Sequence, residues 1–295
     1  MNNKLDNLKE QMCEIGRRIW LRGYCAGNEG NHSVRIDDDR YLCTPTGLSK
    51  GFLTPDDIVV VNGKGEQIEK NKNGRKRTSE VLVHLAIYKQ RPDINAVIHS
   101  HPPHAVAFCI AGMPLPEGIH PEAEVFLGKV PVAPYATPGT DALPNSILPL
   151  IGPETNTILM GNHGSVNFAD DLTIAYYRLE ILDNYCKQLL LARQLGNVNV
   201  LNANQMTELL KVKEKFGFPD ARIACSADGC IGTENQPFLT PFDVRPASAS
   251  CSCNGGEVKT EKPNTATAAS TGSVDNDAFE QMVQSITDQI MAAAR

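Results

Sequence analysis

The stretch that best indicates the fold of this chain reads Ala96-Val97-Ile98-His99-Ser100-His101-Pro102-Pro103. Its apolar residues predict a strand, which the two prolines end. Because successive side chains of a strand point to opposite faces, His99 and His101 project from one side, about 7 Å apart along the strand. Two imidazoles placed in this way can bind one metal ion. The pair alone is equally typical of two surface histidines beside a turn, so the choice depends on ligands elsewhere in the chain.

The composition is that of an ordinary soluble, mildly acidic protein. Of the 295 residues, 41% are apolar and 21% are charged, and the formal net charge is -6. The absence of a basic excess argues against a nucleic-acid-binding protein. No apolar run reaches the roughly 18 to 20 residues of a membrane span, and residues 1–11 lack the apolar core of a signal peptide, so we expect a cytoplasmic location. Nine scattered cysteines do not form a disulfide framework, and we expect them to be reduced.

Apolar periodicity and composition divide the chain into three parts. Residues 1–222 have the pattern of a folded domain, in which strands and helices alternate. We predict helices through 5–19, 81–88, 105–111 and 170–189, and strands at 57–61, 96–101, 130–135 and 157–160. Residues 41–47 predict a short strand that runs into a turn. Residues 223–276 are rich in Ser, Thr, Ala, Pro, Gly and Asn, which predicts a flexible linker. Residues 277–295 predict a short amphipathic helix.

Small and polar residues gather in two predicted turns and at one predicted helix start. They are Gly30, Asn31, Thr46, Gly47, Thr78 and Ser79. We expect Thr78 to be the N-cap of the helix at 81–88, so that free backbone amides and hydroxyls meet in a way that favours phosphate. Glu80 falls in the same first turn. A carboxylate in that position also has a simpler interpretation, since it complements the helix dipole.

A third histidine completes a possible metal site. His163 follows the predicted strand at 157–160 and is flanked by a glycine, so it too lies at a strand end where a ligand can be presented. With His99 and His101 it supplies three neutral nitrogen donors. Glu80 adds a carboxylate, and the set then matches the open three- or four-ligand arrangement of a catalytic zinc ion or a similar divalent ion. The absence of cysteine from the set argues against a purely structural site.

Five motifs resemble, in their order and joint presence, the class II aldolase/adducin family over roughly residues 5–220. They are Gly30-Asn31-His32-Ser33, Thr44-Pro45-Thr46-Gly47, Thr78-Ser79-Glu80, His99-Ser100-His101 and Asn162-His163-Gly164. The resemblance implies an α/β fold with a mainly antiparallel central sheet flanked by helices, and a ring-shaped homotetramer. It also implies a zinc ion at the subunit interface, held by His99, His101 and His163. By the same likeness Glu80 is the acid/base residue and can touch the metal, and the small polar residues above bind the substrate phosphate.

The activity implied by this resemblance is metal-dependent retro-aldol cleavage of a sugar phosphate. L-Fuculose 1-phosphate or L-rhamnulose 1-phosphate would give dihydroxyacetone phosphate and lactaldehyde. Related aldolases carry a tyrosine after an Ile-His pair, where it assists at the aldehyde end. Here Pro121 and Glu122 follow Ile119-His120, so Glu122 becomes the candidate for that role and Tyr135 the second candidate.

Two other functions occur within the same family. Pentulose-phosphate 4-epimerases resemble one another in carrying Asp at the position of Glu80, so glutamate favours the aldolase. Adducin-like binding modules have lost the metal site, so the presence of all three histidines favours an enzyme.

The predicted helix at 277–295 has its own signature. Asp277 is a candidate N-cap with Glu280 as its capping-box partner. One face carries Phe279, Met282, Val283, Ile286 and Ile290. A helix of this length requires an apolar partner surface, either on its own domain or on another copy. The arrangement also resembles the encapsulation peptides that target enzymes to bacterial microcompartments, which implies shell or co-encapsulated proteins as partners and the compartment lumen as the location.

Overall fold

The computed structural model describes residues 2–218, 220–223 and 235–240, in which helices surround a central sheet. The helices are α1 (Asn2–Leu21), α2 (Val81–Gln90), α3 (Pro103–Ala111), α4 (Pro121–Phe126), α5 (Ala142–Ile147), α6 (Leu172–Gln194), α7 (Ala203–Lys215) and α8 (Gln236–Leu239). The strands are β1 (Asn31–Arg35), β2 (Arg40–Cys43), β3 (Val59–Asn62), β4 (Ala96–Ser100), β5 (Val132–Ala133), β6 (Thr157–Met160) and β7 (Gly164–Ala169). None of the helices in this part of the chain combines the length and the apolar character that a bilayer span requires.

The seven strands form one sheet in the order β3-β2-β1-β4-β7-β6-β5. All neighbours are antiparallel except β5 and β6, which run parallel. This topology confirms the predicted α/β fold with a mainly antiparallel sheet. The histidine-bearing strand β4 lies at the centre, and all five of its residues are buried.

Helices cover both faces of the sheet. Val97 belongs to the cluster beneath α2 and α5, together with Val83 and Leu143. Its neighbour Ile98 belongs to the opposite cluster, where α1 and α6 pack. Each fully buried aliphatic side chain of this kind contributes about 1.5–3 kcal/mol to folding. Because alternate residues of β4 are anchored in two cores, the end of the strand, which carries the histidines, is held rigidly.

Strands β1 and β7 were not predicted from the sequence. Residues 31–35 have the composition of a turn, but they pair with β2 on one side and β4 on the other. All six residues of β7 are buried, including Ser165 and Asn167. Asn167 donates to Ser165 Oγ at 3.2 Å and accepts from Thr157 Oγ1 at 3.2 Å. Polar side chains that satisfy one another in this way leave no hydrophobic pattern in the sequence.

Several predicted element boundaries are wrong. The strand predicted at 130–135 is only Val132–Ala133, and two other boundaries are displaced by local hydrogen bonds. Glu80, not Thr78, is the N-cap of α2, and Thr78 Oγ1 instead accepts a hydrogen bond from the Glu80 amide at 3.3 Å. The strand predicted at 57–61 begins at Val59, because Asp57 ends a single 3-10 turn that starts at Pro55. In both cases a local side-chain-to-backbone hydrogen bond displaces the regular element.

A short segment inside the predicted linker packs onto the domain. Phe238 of α8 is buried, its ring centroid lies 6.1 Å from that of Phe108, and Arg193 donates to its carbonyl. The flexible character predicted for residues 223–276 therefore does not hold at 235–240, where one aromatic residue in a polar stretch carries too little periodicity to be recognised. Most of the predicted linker and all of the predicted helix at 277–295 lie outside the described residues.

Two histidines buried in the fold make its stability depend on pH. Burial lowers the pKa of His32 to about 4 and that of His84 to about 3. Between pH 6.5 and about 4 the unfolded chain binds protons at these positions and the folded chain does not. The free energy of unfolding should therefore fall as the pH falls, by at most about 1.4 kcal/mol per pH unit for each histidine.

Urea denaturation of the chelator-treated protein at pH 7, 6 and 5 measures this slope. His32→Gln keeps a donor for the Met12 carbonyl, which His32 Nε2 contacts at 2.9 Å, and removes the titrating group. The slope for this variant should be smaller, by at most about 1.4 kcal/mol per pH unit. An unchanged slope would show that His32 does not titrate in this way.

Candidate metal centre

Sheet pairing brings the three predicted histidines together. The register places Asn31, the first residue of β1, opposite His99 of β4. His163 lies in the tight turn between β6 and β7, where its amide donates to the Met160 carbonyl at 3.0 Å. Since β7 pairs with β4, this turn lies beside the end of β4. One ligand atom from each of His99, His101 and His163 then lies within 4.8 Å of the other two.

The close approach of the turn to β4 requires the glycine that follows His163. A Cβ on Gly164 would lie 2.7 Å from His101 Cδ2 and 2.7 Å from the Ser100 carbonyl oxygen. Both distances are shorter than contacts that side chains tolerate, so any larger residue would push the turn away from the strand. Gly164 is therefore part of the geometry of the histidine cluster.

Hydrogen bonds determine which ring nitrogens face the centre of the cluster. His99 Nδ1 donates to the Ser165 carbonyl at 2.9 Å, and His101 Nδ1 donates to the Glu29 carboxylate at 2.8 Å. In a neutral imidazole the other nitrogen then carries a lone pair. The two Nε2 atoms lie 3.1 Å apart, so two lone pairs face each other.

This arrangement fits a divalent cation. Facing lone pairs repel unless a positive charge lies between them. In a tetrahedral site with Zn–N bonds of about 2.0–2.1 Å, the ligand nitrogens are about 3.3 Å apart, close to the separation of the Nε2 atoms of His99 and His101. The residues present therefore fit a metal ion.

The electrostatics of the cluster favour neutral imidazoles. Burial, followed by repulsion from His101 and His163, holds the pKa of His99 well below its usual value. Burial also lowers the pKa of His163, although the Glu80 carboxylate opposes this shift. Because a metal binds only the deprotonated nitrogen, both shifts favour binding at neutral pH.

Glu80 is placed against the cluster from the start of α2. Its Oε2 lies 3.3 Å from His99 Nε2, and its Oε1 lies 3.6 Å from His163 Nε2. Asn31 Nδ2 donates to Oε2 at 2.9 Å and so orients the carboxylate. The side chain is 12% exposed, which leaves it accessible to a substrate. The predicted alternative, a carboxylate that only complements the helix dipole, does not account for these contacts.

Four of the six residues predicted to bind phosphate, Thr46, Gly47, Thr78 and Ser79, come from two loops that touch. A bridge between Pro45 and Arg77 joins the loops, and the Thr46 amide donates to the Lys76 carbonyl at 3.0 Å. Thr46, Gly47 and Ser79 are exposed near this junction, whereas Thr78 is buried. Gly30 lies on the metal side, since a Cβ there would lie 3.2 Å from the His99 carbonyl oxygen. The six residues thus extend from the histidine cluster to the two loops.

The two candidates for the aldehyde end of the substrate, Glu122 and Tyr135, lie in different positions relative to the histidine cluster. Glu122 lies on α4, its side chain is 62% exposed, and its Oε2 is 3.3 Å from His120 Nδ1. No contact among the described residues joins it to the histidine cluster. The Tyr135 backbone lies beside Gly161, where a Cβ would be 3.1 Å from the Tyr135 nitrogen. Tyr135 is therefore next to the turn that carries His163, and it is exposed.

Sequence reasoning missed two charged residues at the site. Glu29 bonds His101, and Lys50 is 1% exposed with its ammonium group bonded to the Asn28 and Leu48 carbonyls. Glu29 could have been noticed as the single charge in a glycine-rich turn. Lys50 carries no such signal, because lysine is almost always exposed.

The family model described as "Class II Aldolase and Adducin N-terminal domain" matches residues 10–190. The chain belongs to this family. It is an enzyme of the class II aldolase type, a metal-dependent class, and the three histidines described above are its candidate metal ligands.

Relatives within the family have different activities. The chain is 34% identical over 185 residues to the 3-oxo-tetronate 4-phosphate decarboxylase of Haemophilus influenzae. The aligned region covers 61% of this chain and 85% of that protein. The chain is 35% identical over 173 residues to the L-fuculose phosphate aldolase of Methanococcus maripaludis, covering 59% and 91% of the two chains. A solved L-fuculose 1-phosphate aldolase is similar in structure, with a TM-score of 0.64 and 30% identity over 72% of this chain and 97% of that one. Class II aldolase relatives therefore share this fold but differ in the reaction.

Removal of one histidine tests the metal site. We expect the metal-free protein to bind one zinc ion per chain, and His163→Ala to bind it more than about a hundredfold more weakly, since even the loss of an outer partner weakens metal affinity by 10- to 100-fold. Competition with a chromophoric chelator measures both affinities. His120→Ala, which removes a histidine outside the cluster, is the matched control and should bind as the wild type does. Equal affinity in His163→Ala and the wild type would contradict the site.

Proposed function

We propose that this class II aldolase catalyses retro-aldol cleavage of a deoxyketose 1-phosphate, L-fuculose or L-rhamnulose 1-phosphate, to dihydroxyacetone phosphate and lactaldehyde. The observation that carries the proposal is the Glu80 carboxylate, which lies 3.3 Å from His99 and 3.6 Å from His163. An oriented acid/base group beside a metal site is what proton transfer next to a carbonyl requires. The similarity to an L-fuculose phosphate aldolase supports the substrate class.

The divalent ion would be held by His99, His101 and His163, and zinc is among the ions that imidazole donors suit. When bound, it supplies Lewis-acid stabilisation of the negative charge that develops on the carbonyl and adjacent hydroxyl oxygens of the substrate. As the carbon–carbon bond breaks, the hydroxyl that becomes the aldehyde oxygen gives its proton to a base, for which Glu122 and Tyr135 are the candidates. Glu80 delivers a proton to the carbon that loses its bond to the aldehyde fragment. The Asn31 amide holds the carboxylate in place by its 2.9 Å hydrogen bond.

The substrate phosphate would bind at the other end of the site. The exposed hydroxyl groups of Thr46 and Ser79 and the small backbone at Gly47 offer donors to phosphate oxygens. Gly30 lies at the metal end and would allow the substrate to approach the chain closely, because it has no side chain. We place this site in a homotetramer, the assembly that the family resemblance implies.

Two other family functions receive less support. Retention of His99, His101 and His163 favours an enzyme over a non-catalytic adducin-like binding module. Glutamate at position 80, where the resemblance implies aspartate in pentulose-phosphate 4-epimerases, favours carbon–carbon cleavage over epimerisation.

Decarboxylation of a 3-oxo-tetronate 4-phosphate is the second candidate function. When this substrate loses CO2, the three-carbon product is dihydroxyacetone phosphate, as in the aldolase reaction. Both reactions require stabilisation of negative charge on the substrate oxygens. Unlike retro-aldol cleavage, it needs no group to take the hydroxyl proton of a departing aldehyde. Glu122 is exposed and has no contact with His99, His101 or His163 among the described residues. This position and the similarity to the Haemophilus influenzae decarboxylase favour this candidate.

A substrate panel with the zinc-loaded full-length protein decides between the two reactions. The panel contains L-fuculose 1-phosphate, L-rhamnulose 1-phosphate and a 3-oxo-tetronate 4-phosphate, which all give dihydroxyacetone phosphate. The two sugar phosphates also give lactaldehyde, whereas the 3-oxo acid also gives CO2. The proposal expects lactaldehyde release. If only the 3-oxo acid is turned over, the enzyme is a decarboxylase and the proposed aldolase activity is wrong.

The same assay tests Glu80. Glu80→Gln keeps the shape and the acceptor for Asn31 but cannot transfer a proton. We expect its kcat to fall by about 10²- to 10⁴-fold, the usual contribution of a general acid/base, with zinc still bound. Glu66→Gln, an equal charge change at a residue that bonds Asn62, is the control. Full activity of Glu80→Gln would rule out its proposed role.

We also propose that residues 277–295 direct this enzyme into the lumen of a bacterial microcompartment. The support is the sequence pattern of an amphipathic helix and the chemistry of a volatile, reactive aldehyde product, which a shell would retain. Fused to a fluorescent protein and expressed with a shell, residues 275–295 should give punctate fluorescence. Ile286→Asp, which places a charge on the apolar face, should make the fluorescence diffuse. Diffuse fluorescence from the unmodified segment would count against the proposal.

A further inference from the structure

The three candidate ligands differ in what their outer nitrogens contact. His99 Nδ1 donates to a backbone carbonyl, that of Ser165. His163 Nδ1 is buried without a hydrogen-bond partner among the described residues. His101 Nδ1 alone donates to a carboxylate, that of Glu29, at 2.8 Å. The cluster therefore contains one imidazole whose outer partner carries a full negative charge.

Both oxygens of Glu29 are engaged, so its orientation is determined. Oε2 accepts from His101, and Oε1 accepts from the Ala26 amide at 2.6 Å. The hydrogen bond to Ala26 closes the turn at 26–29 on itself, and the Glu29 amide donates back to the Ala26 carbonyl at 3.2 Å. Hydrogen bonds to both oxygens restrict rotation of the carboxylate and keep Oε2 on the His101 ring, although the side chain is 33% exposed.

The turn that carries Glu29 is anchored on both sides. Before the turn, the Tyr24 carbonyl accepts from the His101 amide at 2.9 Å and from Ser100 Oγ at 2.6 Å. After it, the Asn28 carbonyl accepts from the buried ammonium group of Lys50 at 2.9 Å. A lysine this deeply buried requires such partners, so the turn and the segment around Lys50 stabilise one another. Glu29 is thus held against His101 by the fold.

We propose that Glu29 is a positioning residue of the metal centre. Its carboxylate fixes His101 in the tautomer with the proton on Nδ1, sets the ring orientation, and makes Nε2 a stronger donor to the metal. The inference rests on the proposed metal centre and assigns Glu29 no contact with substrate. It also accounts for a charged side chain in a turn that otherwise consists of small and neutral residues.

Metal affinity of the full-length protein tests this role directly. Zinc affinity is measured by chelator competition for the wild type, Glu29→Gln, Glu29→Ala and the charge control Glu66→Gln. We expect Glu29→Ala to bind zinc 10- to 100-fold more weakly, as is usual when the outer partner of a metal-binding histidine is lost. Glu29→Gln, whose amide oxygen still accepts one hydrogen bond, should fall between Glu29→Ala and the wild type. Glu66→Gln should match the wild type.

A spectroscopic measurement separates positioning from a general loss of structure. In the metal-free protein with ¹⁵N-labelled histidine, the Nδ1–H signal of His101 should be present in the wild type and shift or disappear in Glu29→Ala. Thermal unfolding of the metal-free variants reports whether the domain is folded. If Glu29→Ala does not fold, the zinc affinity and the His101 signal of Glu29→Gln are compared with those of the wild type instead.

The possible failures are distinct. Wild-type zinc affinity and an unchanged His101 signal in a folded Glu29 variant would overturn the role of Glu29 and leave the metal centre standing. A wild-type protein that binds no divalent ion would overturn the metal centre and the role of Glu29 with it.

Discussion

Antiparallel pairing of β4 with β1 on one side and β7 on the other is the constraint on which both the fold and the site depend. It places Asn31 opposite His99 and brings the turn with His163 to the end of the same strand. Two glycines permit this contact, because a Cβ on Gly30 or Gly164 would meet β4 at 3.2 Å or less. The helices on both faces then hold the strand in place from two separate cores.

The same pairing concentrates buried polar groups at one end of the sheet. Burial of such groups is costly unless each has a partner. Here carbonyls provide partners for the buried Lys50, and amides and imidazoles provide them for the half-buried Glu80 and Glu29. Asn31 Oδ1 and His163 Nδ1 are buried without a hydrogen-bond partner among the described residues. Unused hydrogen-bonding capacity of this kind, beside facing lone pairs, is a property of a binding site and not of a core that is optimised for stability.

Elements with their own hydrophobic pattern were predictable. Strands β4 and β6 are apolar runs, and α1 and α6 have apolar residues at helical spacing, with Asp171 as the N-cap of α6. Strands β1 and β7 were not predictable in this way, since their inward polar side chains are satisfied by partners distant in sequence. The prediction placed the start of α2 two residues too early, at Thr78. The hydroxyl group of a threonine can accept a hydrogen bond either as a helix N-cap or from a nearby amide outside the helix, and the local sequence does not distinguish these two cases.

The sequence by itself determined the donor types, their order along the chain, and hence the family. Only the tertiary structure decided which donors meet. It brought Glu80 against His99 and His163, placed Glu29 behind His101 and buried Lys50, and it left Glu122 exposed beside His120. The physical reason is that side-chain contacts depend on strand register and on the close approach of turns. Both arise from pairings between residues far apart in the chain, which no local pattern records.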